Sequence, residues 1–199
     1  MTKPPDGLLR PAVFLDRDGT INIDTHYLRS PDDVALLPGA GEAIAELNHS
    51  GLPVIVVSNQ SGIGRGLLTH TDYELVRARI DELLAASGAR IDASYICPHP
   101  PSADTGEPIC ECRKPGTLLF RTAAAEHSLD LARSTFIGDR WRDVSPALAF
   151  RASGILVPSP DTPPADLARA RSELRVEPTL GAAVARLLGR STGPREAER

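Results

Sequence analysis

Short apolar, β-branched runs alternate along this chain with stretches whose apolar positions recur every three or four residues. The runs at 12–16, 52–57, 92–96, 134–138 and 154–157 predict strands. Between them, apolar residues at 40, 43, 44 and 47 with Gly51 as a stop predict a helix over 39–50. A second helix is predicted over 71–87, with Thr71 as its cap, Glu74 completing a capping box and Gly88 closing it. Further helices are expected near 116–128, 143–152, 165–172 and 179–189, and a short strand near 174–177. Four prolines between Pro158 and Pro164 require an irregular loop or an edge segment. Strands alternating with helices imply an α/β fold: a Rossmann-like open, mostly parallel sheet with helices on both faces. One domain over 1–190 is expected, followed by a polar, flexible tail at 191–199.

Composition narrows the function classes. The 199 residues are 41% hydrophobic and 24% charged, which suits one globular domain with an ordinary core. The formal net charge of −4 supplies no basic footprint for nucleic acid, so an anionic ligand needs a locally positive pocket. Met1 to Arg10 has no apolar stretch suited to a signal peptide, and no run approaches the length of a membrane span. A cytoplasmic protein without a nucleic-acid or membrane partner is expected.

Candidate chemistry starts at Asp16-Arg17-Asp18-Gly19-Thr20, directly after the first apolar run. In a strand, the two carboxylates share one face roughly 6 to 7 Å apart. Gly19 lets the chain turn sharply just beyond them. The pair taken alone is equally a solvated surface turn. A calcium loop is set aside, because the third acid of the ladder and its closing glutamate are missing. Of 22 basic residues only Lys3 and Lys114 are lysines. A compact ammonium retained in so arginine-rich a chain is either a chance survivor or a point charge with a task.

Ligands of open parallel sheets bind beyond the carboxyl ends of the strands. The second strand ends in Ser58-Asn59-Gln60-Ser61, the fourth in Gly138-Asp139-Arg140 with Asp143 one turn on, and Lys114 precedes a helix. Each has an ordinary reading as a turn, a cap or a surface charge; together they converge on phosphate chemistry. The set Asp16-x-Asp18, Ser58, Lys114 and Gly138-Asp139-x3-Asp143 resembles the four motifs of the haloacid dehalogenase superfamily of aspartate-based phosphohydrolases. The resemblance implies that Asp16 is the nucleophile, Asp18 the acid and base, and Ser58 and Lys114 the holders of the phosphoryl oxygens. It implies a catalytic Mg²⁺ on Asp16, the Asp18 backbone carbonyl and Asp139, with Asp143 assisting from behind.

All three cysteines fall in Cys97-Pro-His99 and Cys110-Glu-Cys112, and three thiolates with one imidazole complete a tetrahedral zinc set. Reduced thiols or a Cys110/Cys112 redox pair are the alternatives, the latter disfavoured by its spacing. A closed set implies structural Zn²⁺, stapling the loop that leads into Arg113-Lys114. The zinc loop, Asp-Arg-Asp-Gly-Thr-Ile-Asn and Ser-Asn-Gln-Ser-Gly-Ile-Gly resemble the branch of the superfamily that holds the heptose-bisphosphate and histidinol-phosphate phosphatases. That branch implies hydrolysis of the 7-phosphate of a heptose 1,7-bisphosphate in nucleotide-activated heptose biosynthesis. Histidinol phosphate, or a zinc-stapled binding module that has lost catalysis, remains the alternative. Arg140 is reminiscent of the histidinol enzymes, while Trp141-Arg142 matches neither.

Loop, helix, strand and zinc loop fill the segments where larger members carry a cap domain, so a capless, monomeric enzyme with an open site is expected. By the same resemblance Asp24, Thr25, His26, Tyr27, Ser58, Asn59, Gln60, Ser61, Arg113, Lys114 and Arg140 contact a phosphorylated sugar. Gly62-x-Gly64-x-Gly66 lacks dinucleotide-binding spacing and reads as a flexible turn. His49, His70 and His127 read as surface or packing residues, and Trp141 as either a packed aromatic or a substrate platform.

Overall fold

Polar residues at the tips of buried strands are the feature the architecture serves. The computed structural model describes residues 8–190, so the tail expected at 191–199 lies outside the described residues. Six strands form one parallel sheet: β1 (Val13–Leu15), β2 (Val54–Asn59), β3 (Ala93–Cys97), β4 (Thr135–Gly138), β5 (Ser153–Leu156) and β6 (Arg175–Val176). Their order is β3-β2-β1-β4-β5-β6, and every neighbouring pair is parallel. The chain starts at the centre and winds outward in both directions. The switch point therefore falls between β1 and β4, where Asp16 and Asp139 leave adjacent strands.

Alternation along β1 splits the core. Val13 and Leu15 face one cluster, which holds residues from α1 (Ala40–His49), α3 (His70–Ala85) and α8 (Leu180–Leu187). Phe14 faces the other, against Phe120 of α4 (Leu118–His127) and Phe136 of β4. All four phenylalanines of the chain sit on this second face. Ring centroids are 5.4 Å apart for Phe14 and Phe120, 5.0 Å for Phe14 and Phe136, and 5.8 Å for Phe136 and Phe150. With both faces covered, the strands read as near-continuous apolar runs, which is why they are legible from sequence.

Three local expectations are corrected. The cap of helix α3 falls two residues earlier than the pattern suggested: Thr69, not Thr71, is the cap, and Asp72, not Glu74, closes the capping box. Both pairs have the right spacing, and the one that wins also exchanges a Thr69 N–H bond to Asp72 Oδ2 at 2.8 Å. The helix expected over 143–152 is two short ones, α5 (Trp141–Val144) and α6 (Pro146–Phe150), divided where Pro146 opens a new first turn. Gly62 and Gly64 belong to a four-residue helix, α2 (Ser61–Gly64), rather than to a flexible turn. A β-carbon at Gly64 would lie 2.5 Å from the Pro98 carbonyl oxygen, so small residues let α2 press against the start of the cysteine-bearing loop. The remaining helix, α7 (Pro164–Glu173), packs beside α5 and β6.

Candidate active site

Asp16 leaves the end of β1 with its N–H bonded to the Ile137 carbonyl at 2.9 Å, which continues the sheet one residue past the strand. Its carboxylate is buried and accepts from Nζ of Lys114 at 2.6 Å. The same ammonium donates to the Val57 carbonyl at 2.6 Å and pairs with Oδ1 of Asp143 at 2.8 Å. The lysine is thus fixed by the tip of β2, the nucleophile candidate and α5. Its backbone is fixed as well: Asn59 accepts from the Lys114 N–H at 3.0 Å and donates to its carbonyl at 3.2 Å.

Asp18 is held by a different set of partners. Arg17 grips it with Nε at 3.0 Å and Nη2 at 2.8 Å. Asn22 donates to Oδ1 at 2.9 Å and Gln60 to Oδ2 at 2.8 Å. Burial disfavours the charge, but Arg17 and these hydrogen bonds outweigh it and hold the Asp18 carboxyl below its usual value. Gly19, at φ +81°, brings the chain back so close that a β-carbon there would lie 2.6 Å from Oδ2 of Asp139. Only glycine gives both the left-handed turn and that approach.

The acids that converge are Asp16, Asp139 and Asp143, each offering an oxygen within 4.8 Å of the others. Burial, then the charges of Asp143 and Asp18 against the opposing pull of Lys114, leaves the Asp16 carboxyl at about 6. Burial, followed by the charges of Asp16 and Asp143, lifts Asp139 to about 7. Asp143 goes the other way: burial opposes its charge, yet Lys114 and Arg142 hold it low. Asp139 Oδ1 is buried with no hydrogen-bond partner, as expected of an oxygen that a hard divalent cation would satisfy. The donor set therefore fits Mg²⁺. Asp139 is braced from the proline-rich loop by Ser159 Oγ, 2.7 Å from Oδ2, and by Thr162 Oγ1, 2.7 Å from its carbonyl. Neither residue was anticipated, since nothing in a proline-rich run 20 residues downstream marks a hydroxyl as a brace.

A cavity of about 470 Å³ opens over these groups, lined among others by Asp16, Asp18, Asp24, His26, Tyr27, Ser58, Asn59, Ser61, Arg113, Lys114 and Arg140. Most of the residues expected to contact substrate are therefore brought together. Two are not on this wall. Gln60 is buried and its amide serves Asp18 and Ser58 Oγ, the latter at 2.7 Å. Thr25 lines a neighbouring cleft of about 750 Å³ with Tyr27, Leu28 and Arg29. That cleft is larger but holds none of the strand-tip acids, so the chemistry belongs to the smaller cavity. His26, at φ +68°, is turned by an Asp24 side chain that accepts its N–H at 2.6 Å. Trp141 packs in a small cluster with α7, under Arg169 at 4.2 Å, and does not line the cavity.

Cys97, His99, Cys110 and Cys112 also form a group able to hold a metal ion. Their sulfurs are 3.0 to 3.5 Å apart, and His99 Nδ1 lies 3.2 Å from Cys112 Sγ. Four such ligand atoms around one point fit a tetrahedral ion with bonds of about 2.0 to 2.3 Å. Burial pushes the Cys97 thiol up; burial also opposes the Cys110 thiolate, but hydrogen bonds from Cys112, Cys97, Arg113 and His99 together outweigh it and bring Cys110 down to about 7.

Comparison with known proteins agrees with this geometry. A family model described as HAD-hydrolase-like matches residues 111–183. The D-glycero-beta-D-manno-heptose-1,7-bisphosphate 7-phosphatase of Photorhabdus laumondii is 41% identical over 150 residues, covering 74% of this chain and 80% of that protein. Its namesake from Yersinia pestis is 39% identical over 141 residues, covering 70% and 75%. The crystal structure of the D,D-heptose 1,7-bisphosphate phosphatase from B. bronchiseptica, complexed with magnesium and phosphate, superposes with a TM-score of 0.79 at 33% identity. It covers 90% of this chain and 98% of that one. A parallel sheet with its acids at the switch point, together with relatives this similar over most of their length, places the chain in the haloacid dehalogenase-like hydrolases, in the family of the D-glycero-beta-D-manno-heptose-1,7-bisphosphate 7-phosphatases.

Proposed function

We propose that this chain is a Mg²⁺-dependent phosphatase that removes the 7-phosphate of D-glycero-D-manno-heptose 1,7-bisphosphate, leaving heptose 1-phosphate. The observation that carries the reading is the buried Asp16 carboxylate at the floor of a basic-rimmed cavity, 2.6 Å from Lys114. Phosphate monoesters resist hydrolysis because an anionic nucleophile must approach an anionic phosphoryl group, so positioning and charge neutralisation supply most of the catalysis. Asp16 attacks phosphorus, the bond to the sugar oxygen breaks, and an aspartyl-phosphate forms. Asp18 gives its proton to the departing sugar oxygen, then takes one from the water that cleaves the aspartyl-phosphate. The surroundings of Asp18 favour its carboxylate, which suits the second half; the first half requires a proton to be taken up beforehand. Lys114 and Ser58 hold the phosphoryl oxygens. Asp16, Asp139 and the Asp18 backbone would hold Mg²⁺, which when bound would neutralise charge on those oxygens. Zn²⁺ on Cys97, His99, Cys110 and Cys112 has a structural part, because the set leaves no open position.

Three cavity-lining arginines favour a substrate with a second anion over histidinol phosphate, whose far end is cationic or neutral. The deciding experiment is steady-state kinetics on both anomers of the heptose bisphosphate and on histidinol phosphate, side by side in Mg²⁺. A higher kcat/KM for either heptose anomer is expected. A preference for histidinol phosphate overturns the substrate, and phosphate release from none of them overturns the enzyme.

A further inference from the structure

The three arginines that line the cavity differ in what holds them. Arg113 donates to the His99 carbonyl at 3.1 Å, and Arg140 reaches Asp166 at 3.4 Å. Arg142, on the first turn of α5, makes no side-chain hydrogen bond among the described residues. Its Nε is buried without a partner. The oxygen it pairs with, Oδ1 of Asp143, is 3.7 Å away and already taken by Lys114, beyond the reach of a hydrogen bond. A buried charged donor left in this state requires an explanation.

The neighbourhood supplies one. Arg113 and Arg142 line the same cavity. Two cations on the wall of a water-filled space repel. A dianion between them reverses the sign of that interaction and offers the acceptors that Arg142 lacks, in the planar geometry a guanidinium matches best. The transferred phosphoryl group already has Lys114, Ser58 and a cation site; the anion left to be placed is the one that stays on the sugar.

We propose that Arg142 forms with Arg113 a two-guanidinium clamp for the phosphate of a sugar bisphosphate that is not hydrolysed, making Arg142 a specificity-determining residue. The clamp rests on the bisphosphate reading given above. Its test is the ratio of kcat/KM for heptose 1,7-bisphosphate to kcat/KM for heptose 7-phosphate, in the unsubstituted enzyme, Arg142→Gln and Arg142→Lys. Loss of a charge-assisted contact predicts that Arg142→Gln lowers the ratio about 10- to 100-fold, chiefly through KM for the bisphosphate, and that Arg142→Lys recovers part of it. A ratio within twofold of the unsubstituted enzyme overturns the clamp. So does an equal loss on both substrates, which would place Arg142 on the transferred group or in the scaffold. If the unsubstituted enzyme does not turn over the heptose bisphosphate, the substrate reading fails by itself. The clamp is then judged by calorimetry in Mg²⁺, from the preference for fructose 1,6-bisphosphate over fructose 6-phosphate. A preference that shrinks about tenfold or more in Arg142→Gln supports the clamp, and no preference in the unsubstituted protein overturns it.

Discussion

Nζ of Lys114 lies 2.6 Å from Oδ1 of Asp16, and both side chains are almost wholly buried. Removing one member of such a pair leaves the other charge stranded, which costs about 3–5 kcal/mol. Lys114→Met is therefore expected to lose at least about 100-fold in kcat and to unfold at lower urea in metal-free buffer. A variant of unchanged stability would show that Asp16 and Asp143 take up protons at no cost when the ammonium goes.

The tasks proposed for Asp16 and Asp18 are unequal, and the two should fail differently. Asp16→Asn removes the nucleophile, and phosphate release is expected to vanish for every substrate while the circular dichroism spectrum is retained. Asp18→Asn removes a proton donor, worth about 10²- to 10⁴-fold. In the step that forms the aspartyl-phosphate, read as the single-turnover burst of leaving group, that loss should appear with sugar phosphates and shrink to under about tenfold with p-nitrophenyl phosphate, whose leaving group needs no proton. Equal losses of that burst on both substrates would remove Asp18 from the acid role.

The raised carboxyls predict an inverted pH dependence in the metal-free protein. Asp16 at about 6 and Asp139 at about 7 retain protons in the folded state that the unfolded chain, near 3.8, has released. Their contribution to stability is present at low pH and is lost as pH rises through 6 to 7. Asp18 and Asp143, held low, act oppositely, and their contribution is lost only as pH falls below 3.8. Mg²⁺ competes with the protons on Asp16 and Asp139, so the rise in melting temperature on adding it should be larger at pH 8 than at pH 5.5. An equal rise at both would mean that these carboxyls do not hold the ion.

The cysteine cluster predicts one equivalent of zinc by elemental analysis of purified protein. Cys112→Ser should lose it and melt lower by more than about 5 °C, roughly what 2 kcal/mol amounts to in a domain of this size. A metal-free protein with an unaltered melting point would remove the staple.

Much of this site was legible because strand tips announce themselves. Asp16, Ser58 and Asp139 each follow a buried apolar run, and a parallel sheet with both faces covered puts such endings on one edge. Lys114 stood out by rarity, and the three cysteines with His99 by clustering. What escaped is held by contacts that leave no periodic trace. Ser159 and Thr162 reach Asp139 across a turn after β5, from a segment whose prolines hide its hydroxyls. Gln60 sits in the right tetrapeptide but its amide serves Asp18, because it is the single residue between the end of β2 and the start of α2. The cap of α3 was misplaced because Thr69 and Thr71 each have an acid three residues on, and sequence alone does not say which hydroxyl faces a free N–H.

The two hydrogen bonds by which Asn59 brackets the backbone of Lys114 have a consequence for how this enzyme wears out. Lys114 is anchored to β2, whereas its neighbour Arg113 is anchored to the carbonyl of His99, a member of the cluster able to hold a metal ion. Adjacent residues of one segment thus answer to different supports. Oxidation or chelation at the cysteines should first loosen the grip on the far end of the substrate and only later disturb the lysine at the reacting phosphorus. A zinc-depleted enzyme would then be undiscriminating before it is inactive, hydrolysing small phosphate esters while losing its preference for its own substrate.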